Sequence, residues 1–202
     1  MQDAPLYAAS NQLQRRDAAL ALDSVIPAMT WNKEGERVLD IGCGAGDVTS
    51  SLLLASIPVK VSLHGTDSSQ EMISYARQHH SGENLSYSVM DIEKVTRVRD
   101  LFPDGFHKIF SLYCLHWVRD LTSALRNIKE LLMEDGEAMV LFLASNPIFR
   151  MYRIMAAKTK WTQFMKVTRD FIIFLITITQ RTWSPTSPCT RTPPAPALSS
   201  GP

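Results

Sequence analysis

The reading of this chain turns on Val38-Leu39-Asp40-Ile41-Gly42-Cys43-Gly44-Ala45-Gly46-Asp47-Val48-Thr49, an apolar strand that runs into a glycine turn and opens a helix. Glycine lacks a Cβ, so it takes positive φ and lets backbone N–H groups approach a ligand. The helix that follows aims its positive end at the same place. A nucleotide-type binding site is expected there.

Spacing narrows the choice of nucleotide. A dinucleotide fingerprint asks for glycine or alanine three residues after its second glycine, and here that position is Asp47. The third glycine is Gly46 instead, and Asp40 stands two residues before the turn. The next strand, Val59 to His64, alternates apolar and polar residues and meets Gly65-Thr66-Asp67. That sets a carboxylate about 20 residues past the turn, where ribose hydroxyls are gripped. A third strand, Leu85 to Met90, ends at Asp91-Ile92. Asp91 taken alone is equally a surface turn residue, but three acids closing three successive strands make a pattern. Between the second and third strands, Ser69 to His80 reads as a helix with Ser68 or Ser69 as N-cap and Met72, Ile73 and Ala76 on one face.

Strand and helix signals continue to alternate, with strands expected at Lys108–Tyr113 and Glu137–Leu143. Between them lies a helix striped by Leu121, Leu125, Ile128 and Leu132, with Gly136 as its stop. Such alternation yields a parallel sheet covered on both faces, an α/β architecture. Ligands of open α/β sheets bind beyond the carboxyl ends of the strands, which makes Trp117, after the fourth strand, a site candidate.

The turn Gly42-Cys43-Gly44-Ala45-Gly46 with its preceding Asp40 resembles the first motif of class I methyltransferases that use S-adenosylmethionine. The resemblance implies a Rossmann-like sheet and this cofactor, held by Asp40, Gly42, Gly44, Gly46, Asp67, Ser68, Asp91, Ile92 and Ser111. Asp91 would accept from the adenine amine while Ile92 covers the ring. A more specific pattern joins Tyr7, Leu13-Gln14-Arg15-Arg16-Asp17-Ala18, the glycine turn, Cys114-Leu115-His116-Trp117-Val118 and Lys160-Trp161. Together these resemble the insect juvenile hormone acid methyltransferases over residues 5–166. That likeness implies that Gln14 and Trp117 orient the carboxylate of a sesquiterpenoid acid, such as juvenile hormone acid or farnesoic acid, for conversion to its methyl ester. A carboxylic acid is ionised at neutral pH, so its attack on a methyl group needs positioning rather than a base.

As residues alone, Gln14 is equally a solvated helix position and Trp117 equally core packing. His116 is read as pocket wall rather than base, and Arg15, Arg16 and Asp17 as a solvated face or local ion pairs. Phe149, Tyr152 and Trp161 are candidates for an apolar substrate wall, or for an amphipathic helix packed on the sheet.

Lysine and arginine number 21 against 20 acidic residues, a net charge of +1, so no basic field points to nucleic acid. The partner expected is a small apolar acid. The first ten residues read as neither signal nor transit peptide, no apolar run reaches about 20 residues, and Cys43, Cys114 and Cys189 show no metal or disulfide spacing. A cytoplasmic enzyme without a metal is expected.

Residues 1–166 read as the methyltransferase domain, 167–182 as an atypical apolar segment and 183–202 as a disordered tail rich in proline, serine and threonine. The family's last two strands are not recognisable, which leaves strand five with an unpaired edge unless Phe171 to Ile178 fills it as a strand; a packed helix and an exposed segment are the other outcomes. An alternative function follows, that of a truncated and catalytically inactive variant that binds the cofactor or another protein.

Overall fold

The computed structural model describes residues 3–32, 34–143, 154, 158, 160 and 174–179. Two helices, α1 (Ala4–Ser10) and α2 (Gln12–Val25), precede the first strand, β1 (Glu34–Ile41). After the glycine turn the chain winds through a π-helical stretch, Thr49–Leu53, into the short α3 (Leu54–Ser56). Then follow β2 (Lys60–Asp67), α4 (Gln70–His80), β3 (Leu85–Val89), α5 (Val98–Leu101), β4 (Phe106–Leu112), α6 (Leu121–Leu131), β5 (Leu132–Phe142) and β6 (Phe174–Thr179).

The sheet runs in the order β3-β2-β1-β4-β5-β6, with the first five strands parallel. The chain starts at β1, moves outward to β3, and returns across β1 to β4. A crevice therefore opens between the carboxyl ends of β1 and β4, where the winding reverses. The glycine turn leaves one lip of it and the Cys114–Trp117 segment leaves the other.

Strand parity divides the core. Val38, Leu63, Phe110 and Met139 pack with α2 and α4 on one face, while Leu39, Ile109 and Val140 pack with α6 on the other. On α6 the buried face runs through Ala124, Ile128 and Leu131, so of the expected stripe only Ile128 is fully seated, Leu121 and Leu125 are partly buried at its edge, and Leu132 falls in β5. Each large aliphatic side chain so buried contributes about 1.5–3 kcal/mol. Asp120 caps this helix, accepting from the Ser123 N–H at 3.0 Å. Ser69, one of the two cap candidates, accepts from the Met72 N–H at 3.3 Å and opens α4.

The end of α6 differs from expectation. The helix stops at Leu131, and β5 begins at once rather than at Glu137. The register slips between Phe106 and Lys108, and Asp135 takes a φ of 63° to absorb the surplus residues before Gly136.

Lys108 is buried among strands yet not isolated. Its Nζ lies 3.5 Å from Glu36 Oε2 and 3.3 Å from Glu137 Oε2, and 5.4 Å from the centre of the Trp31 ring. A buried charge requires such partners. The cluster ties β1, β4 and β5 together near their amino ends, opposite the glycine turn.

The five parallel strands are those expected. At the edge, the apolar run forms β6, antiparallel to β5 from Phe142↔Phe174 to Glu137↔Thr179. Of the three outcomes left open, the strand is the one realised. A segment of β-branched and apolar residues satisfies the edge N–H and C=O groups of β5 that a missing hairpin would leave unpaired.

Candidate functional site

Three glycines shape the turn after β1, with φ of 79° at Gly42, 55° at Gly44 and 86° at Gly46. Gly42 is the tightest: a Cβ there would lie 2.2 Å from Cys114 Cβ and 2.3 Å from its Sγ. Only glycine lets the ends of β1 and β4 approach so closely. The N–H groups of Gly42 and Cys43 both donate to the Thr66 carbonyl, at 2.7 and 3.0 Å. These donors hold the end of β2 instead of facing outward. Gly44 N–H donates to Asp67 Oδ2 at 3.1 Å, and Ser69 N–H donates to the other oxygen at 2.9 Å. Asp67 thus fastens the turn to the start of α4.

Two cavities adjoin at Gly42. The larger, about 480 Å³, is lined by Gly42, Asp67, Ser68, Asp91, Ile92 and Trp117 among others, a size that suits a nucleoside. The smaller, about 20 Å³, lies under α1 and α2 and is lined by Tyr7, Gln14, Asp40, Gly42, Asp47 and Tyr113, with further residues.

Asp40 is the chemical centre of the smaller cavity. Its carboxylate is 2 % exposed; Oδ2 accepts from Thr49 Oγ1 at 2.6 Å, and Oδ1 has no partner among the described residues. Burial pushes its pKa from 3.8 to about 7, against the Thr49 hydrogen bond and with help from the Asp67 charge. An orphaned carboxylate oxygen beside a glycine cradle fits a ligand amine, as the methionine end of S-adenosylmethionine would supply.

The linkage is testable. Between pH 3.8 and about 7 the folded chain holds a proton on Asp40 that the unfolded chain releases, so this group favours folding less as pH rises through that window. Asp40→Asn mimics the protonated acid. In thermal melts without ligand, the variant is expected to gain on the unaltered chain from pH 5 to 8; a constant gap would contradict the raised pKa.

Asp91 has a different environment. Partial burial opposes its ionisation, but Lys94 at 2.6 Å and the N–H groups of Glu93 and Lys94 outweigh this and hold its pKa below the usual carboxylate range. Ile92 beside it is buried, and Ser68 is exposed at the cleft. Gly44 is covered by the Tyr7 ring, and Gly46 is backed by Ala76 and Tyr87, so both form the turn without lining either cavity. The buried hydroxyl of Ser111 donates to the Ile41 carbonyl at 3.0 Å, which ties β4 to β1.

Of the two acceptor candidates, Gln14 is half-buried in the smaller cavity and Trp117 is 67 % exposed on the wall of the larger one. The core-packing reading of Trp117 therefore does not hold. His116 is buried between Tyr113 and Trp117, and burial pulls its pKa from 6.5 to about 4, leaving it neutral at physiological pH. Phe149, Tyr152 and Trp161 lie outside the described residues. No group of three or more histidine, cysteine or acidic side chains suited to a metal occurs among the described residues, and none of the described helices is long and apolar enough to cross a membrane.

Sequence reasoning missed the anchors of α2. Asp47 accepts from both sides: Asn11 Nδ2 donates to its two oxygens at 3.1 and 2.9 Å, and Arg15 Nη1 reaches Oδ2 at 2.7 Å. Arg15 is thus a long-range partner of the glycine turn rather than part of a solvated face. Pairs separated by 36 and 32 residues leave no local signal in the sequence. Burial, then the charges of Asp47 and Asp67, raises the Tyr7 pKa to about 12 and keeps its hydroxyl protonated.

A family model described as a methyltransferase domain matches residues 38–136. The juvenile hormone acid O-methyltransferase of Drosophila melanogaster is 39 % identical over 175 residues, which cover 85 % of this chain and 59 % of that protein. The protein of the same name from Bombyx mori is 41 % identical over 175 residues, covering 85 % of this chain and 61 % of that one. The chain spans about three fifths of the length of these curated relatives. In fold it is similar to the plantazolicin methyltransferase BamL, solved with SAH, with a TM-score of 0.56, 21 % identity and coverage of 79 % of this chain and 57 % of that one.

Proposed function

We propose that this chain is a class I S-adenosylmethionine-dependent methyltransferase, as the matching family model and the two relatives support, and that it esterifies the carboxylate of an apolar sesquiterpenoid acid. The observation that carries the reading is the placement of Gln14 and Trp117 on the walls of two cavities that share Gly42. Donors from α2 and from the segment after β4 bracket the glycine turn. The identity with two juvenile hormone acid O-methyltransferases supports the substrate class.

When bound, the cofactor supplies an electrophilic methyl group on a positively charged sulfur. Asp40 would take its amine, Asp67 its ribose hydroxyls, and Asp91 with Ile92 its base. Asp91 must then share its carboxylate with Lys94, an exposed pair that yields at little cost. The acceptor acid is already ionised, so no residue need remove a proton, and neutral His116 is not required as a base. The Gln14 amide and the Trp117 indole N–H are neutral donors that orient a carboxylate while leaving it more nucleophilic than an arginine pair would. Proximity supplies most of the acceleration. Residues 1–166 would form this catalytic unit in a soluble, cytoplasmic setting.

The test is a substrate panel. Farnesoic acid is expected to give its methyl ester while farnesol, with the same chain and no carboxylate, gives no product; transfer to both or to the alcohol alone would refute carboxyl specificity. Asp67→Ala separates the two halves of the site. It is expected to weaken S-adenosylhomocysteine binding roughly tenfold, since charge-assisted bonds to the turn and the ribose are both lost, with the KM of the acid nearly unchanged. An equal loss in both would speak against a cofactor role.

A further inference from the structure

Tyr113 stands where the two sides of the acceptor site meet. It follows β4 directly, with a φ of 59°, a left-handed conformation that a bulky side chain rarely adopts. Such a backbone persists where its surroundings impose it. Here the Tyr113 N–H donates to the Leu141 carbonyl at 2.7 Å, and the side chain is buried.

Its hydroxyl reaches across 96 residues of sequence to donate to Asp17 Oδ2. Asp17 lies on α2 three residues past Gln14, so both project from one helical face. The second oxygen of Asp17 accepts from Arg16 Nε and Nη2 at 3.0 and 2.8 Å, which holds the carboxylate in place. On the other side, the Tyr113 ring meets His116 edge to face at 6.0 Å, and His116 leans on Trp117 at 5.1 Å. A single side chain therefore links the helix that bears Gln14 to the turn that bears Trp117. The larger cleft, which would take the ribose and base, is built otherwise, from Asp67, Ser68, Asp91 and Ile92, while Asp40 shares the smaller cavity with Gln14 and Tyr113, and α2 has its own tie to the glycine turn through Asp47.

Resting on the functional reading above, we propose that Tyr113 is a positioning residue whose bond to Asp17 sets the separation of Gln14 from Trp117, and with it the seat of the acceptor carboxylate. Tyr113→Phe keeps the ring and removes the bond. In the full chain, kcat/KM for farnesoic acid is expected to fall about tenfold, chiefly through KM, while affinity for S-adenosylhomocysteine stays within about twofold. Amide exchange across residues 12–25 is expected to quicken about tenfold, with that of Gln70–His80 unchanged. Asp17→Ala should match Tyr113→Phe, their combination should be no worse than either, and Asp17→Asn, whose amide oxygen still accepts, should recover most of the loss.

Unchanged exchange in α2 would overturn the inference, as would faster exchange with the acceptor KM held, or additive losses in the double variant. A fall in cofactor affinity equal to the fall in kcat/KM would reduce Tyr113 to a merely structural role. If the unaltered chain transfers no methyl group, the functional reading fails on its own and the acceptor half of this inference falls with it, whereas exchange in α2 still decides whether the strap exists.

Discussion

Gly42→Ala is expected to destabilise the chain by about 2–5 kcal/mol and to abolish measurable cofactor binding. Two costs combine. An alanine held at a φ of 79° pays for the left-handed backbone, about 1–2 kcal/mol. Its Cβ would also sit 2.2 Å from that of Cys114, so the carboxyl ends of β1 and β4 must part. Overpacking of this kind adds about 1–3 kcal/mol. Gly35 is the control, because its φ of 81° is similar but nothing lies within 4 Å of a built Cβ. Gly35→Ala should show the backbone cost alone, leaving S-adenosylhomocysteine affinity intact. Thermal melts and calorimetry on both variants check this: equal effects at the two sites would show that the contact with Cys114 is unimportant to the turn.

Gln14→Ala is expected to lower kcat/KM for farnesoic acid roughly 10–100-fold, the value of one hydrogen bond to a charged group that must be held in place. Trp117→Phe, which keeps an aromatic ring and loses the indole N–H, should have a comparable effect. Cofactor affinity should change less than about twofold in both, because Asp40, Asp67 and Asp91 are untouched. The alternative for Gln14, a solvated helix residue, calls for no change in either constant. Since Trp117 is largely exposed and Gln14 faces a small cavity, neither substitution removes much buried area, and a large drop in thermal stability would count against the assignment.

The parts of the structure readable beforehand are those written in local pattern. The strand that enters the glycine turn, the acids that end β1 and β2 and follow β3, and the existence of a helix after β4 each rest on spacing within one element, which sterics and burial impose residue by residue. The run at 171–178 carried no period to separate strand from helix, and the pairing of Phe174–Thr179 with β5 depends on a strand edge that lies far away in sequence. Ser111 shows the converse. Its place at the end of β4 is local, whereas the bond of its hydroxyl to Ile41 depends on strand packing that only the assembled sheet determines.

The anchors of α2 were hidden for another reason. Asn11 and Arg15 meet Asp47 across 36 and 32 residues, and Tyr113 meets Asp17 across 96. Side-chain pairs at such separations leave no periodic trace. Asp47 was noticed only as the residue that breaks a dinucleotide fingerprint, yet in the structure it fastens the helix bearing Gln14 to the turn. The same residue that argues against a dinucleotide also holds α2 against the glycine turn.

Carboxyl methylation by this chain is tested most directly by titrating the purified protein with S-adenosylhomocysteine in a calorimeter and then supplying S-adenosylmethionine and farnesoic acid to the same preparation. Saturable binding followed by formation of the methyl ester is expected. Binding with no ester formed would contradict the enzymatic reading and favour a chain that retains the cofactor site without turnover, and the absence of both would contradict the cofactor site itself.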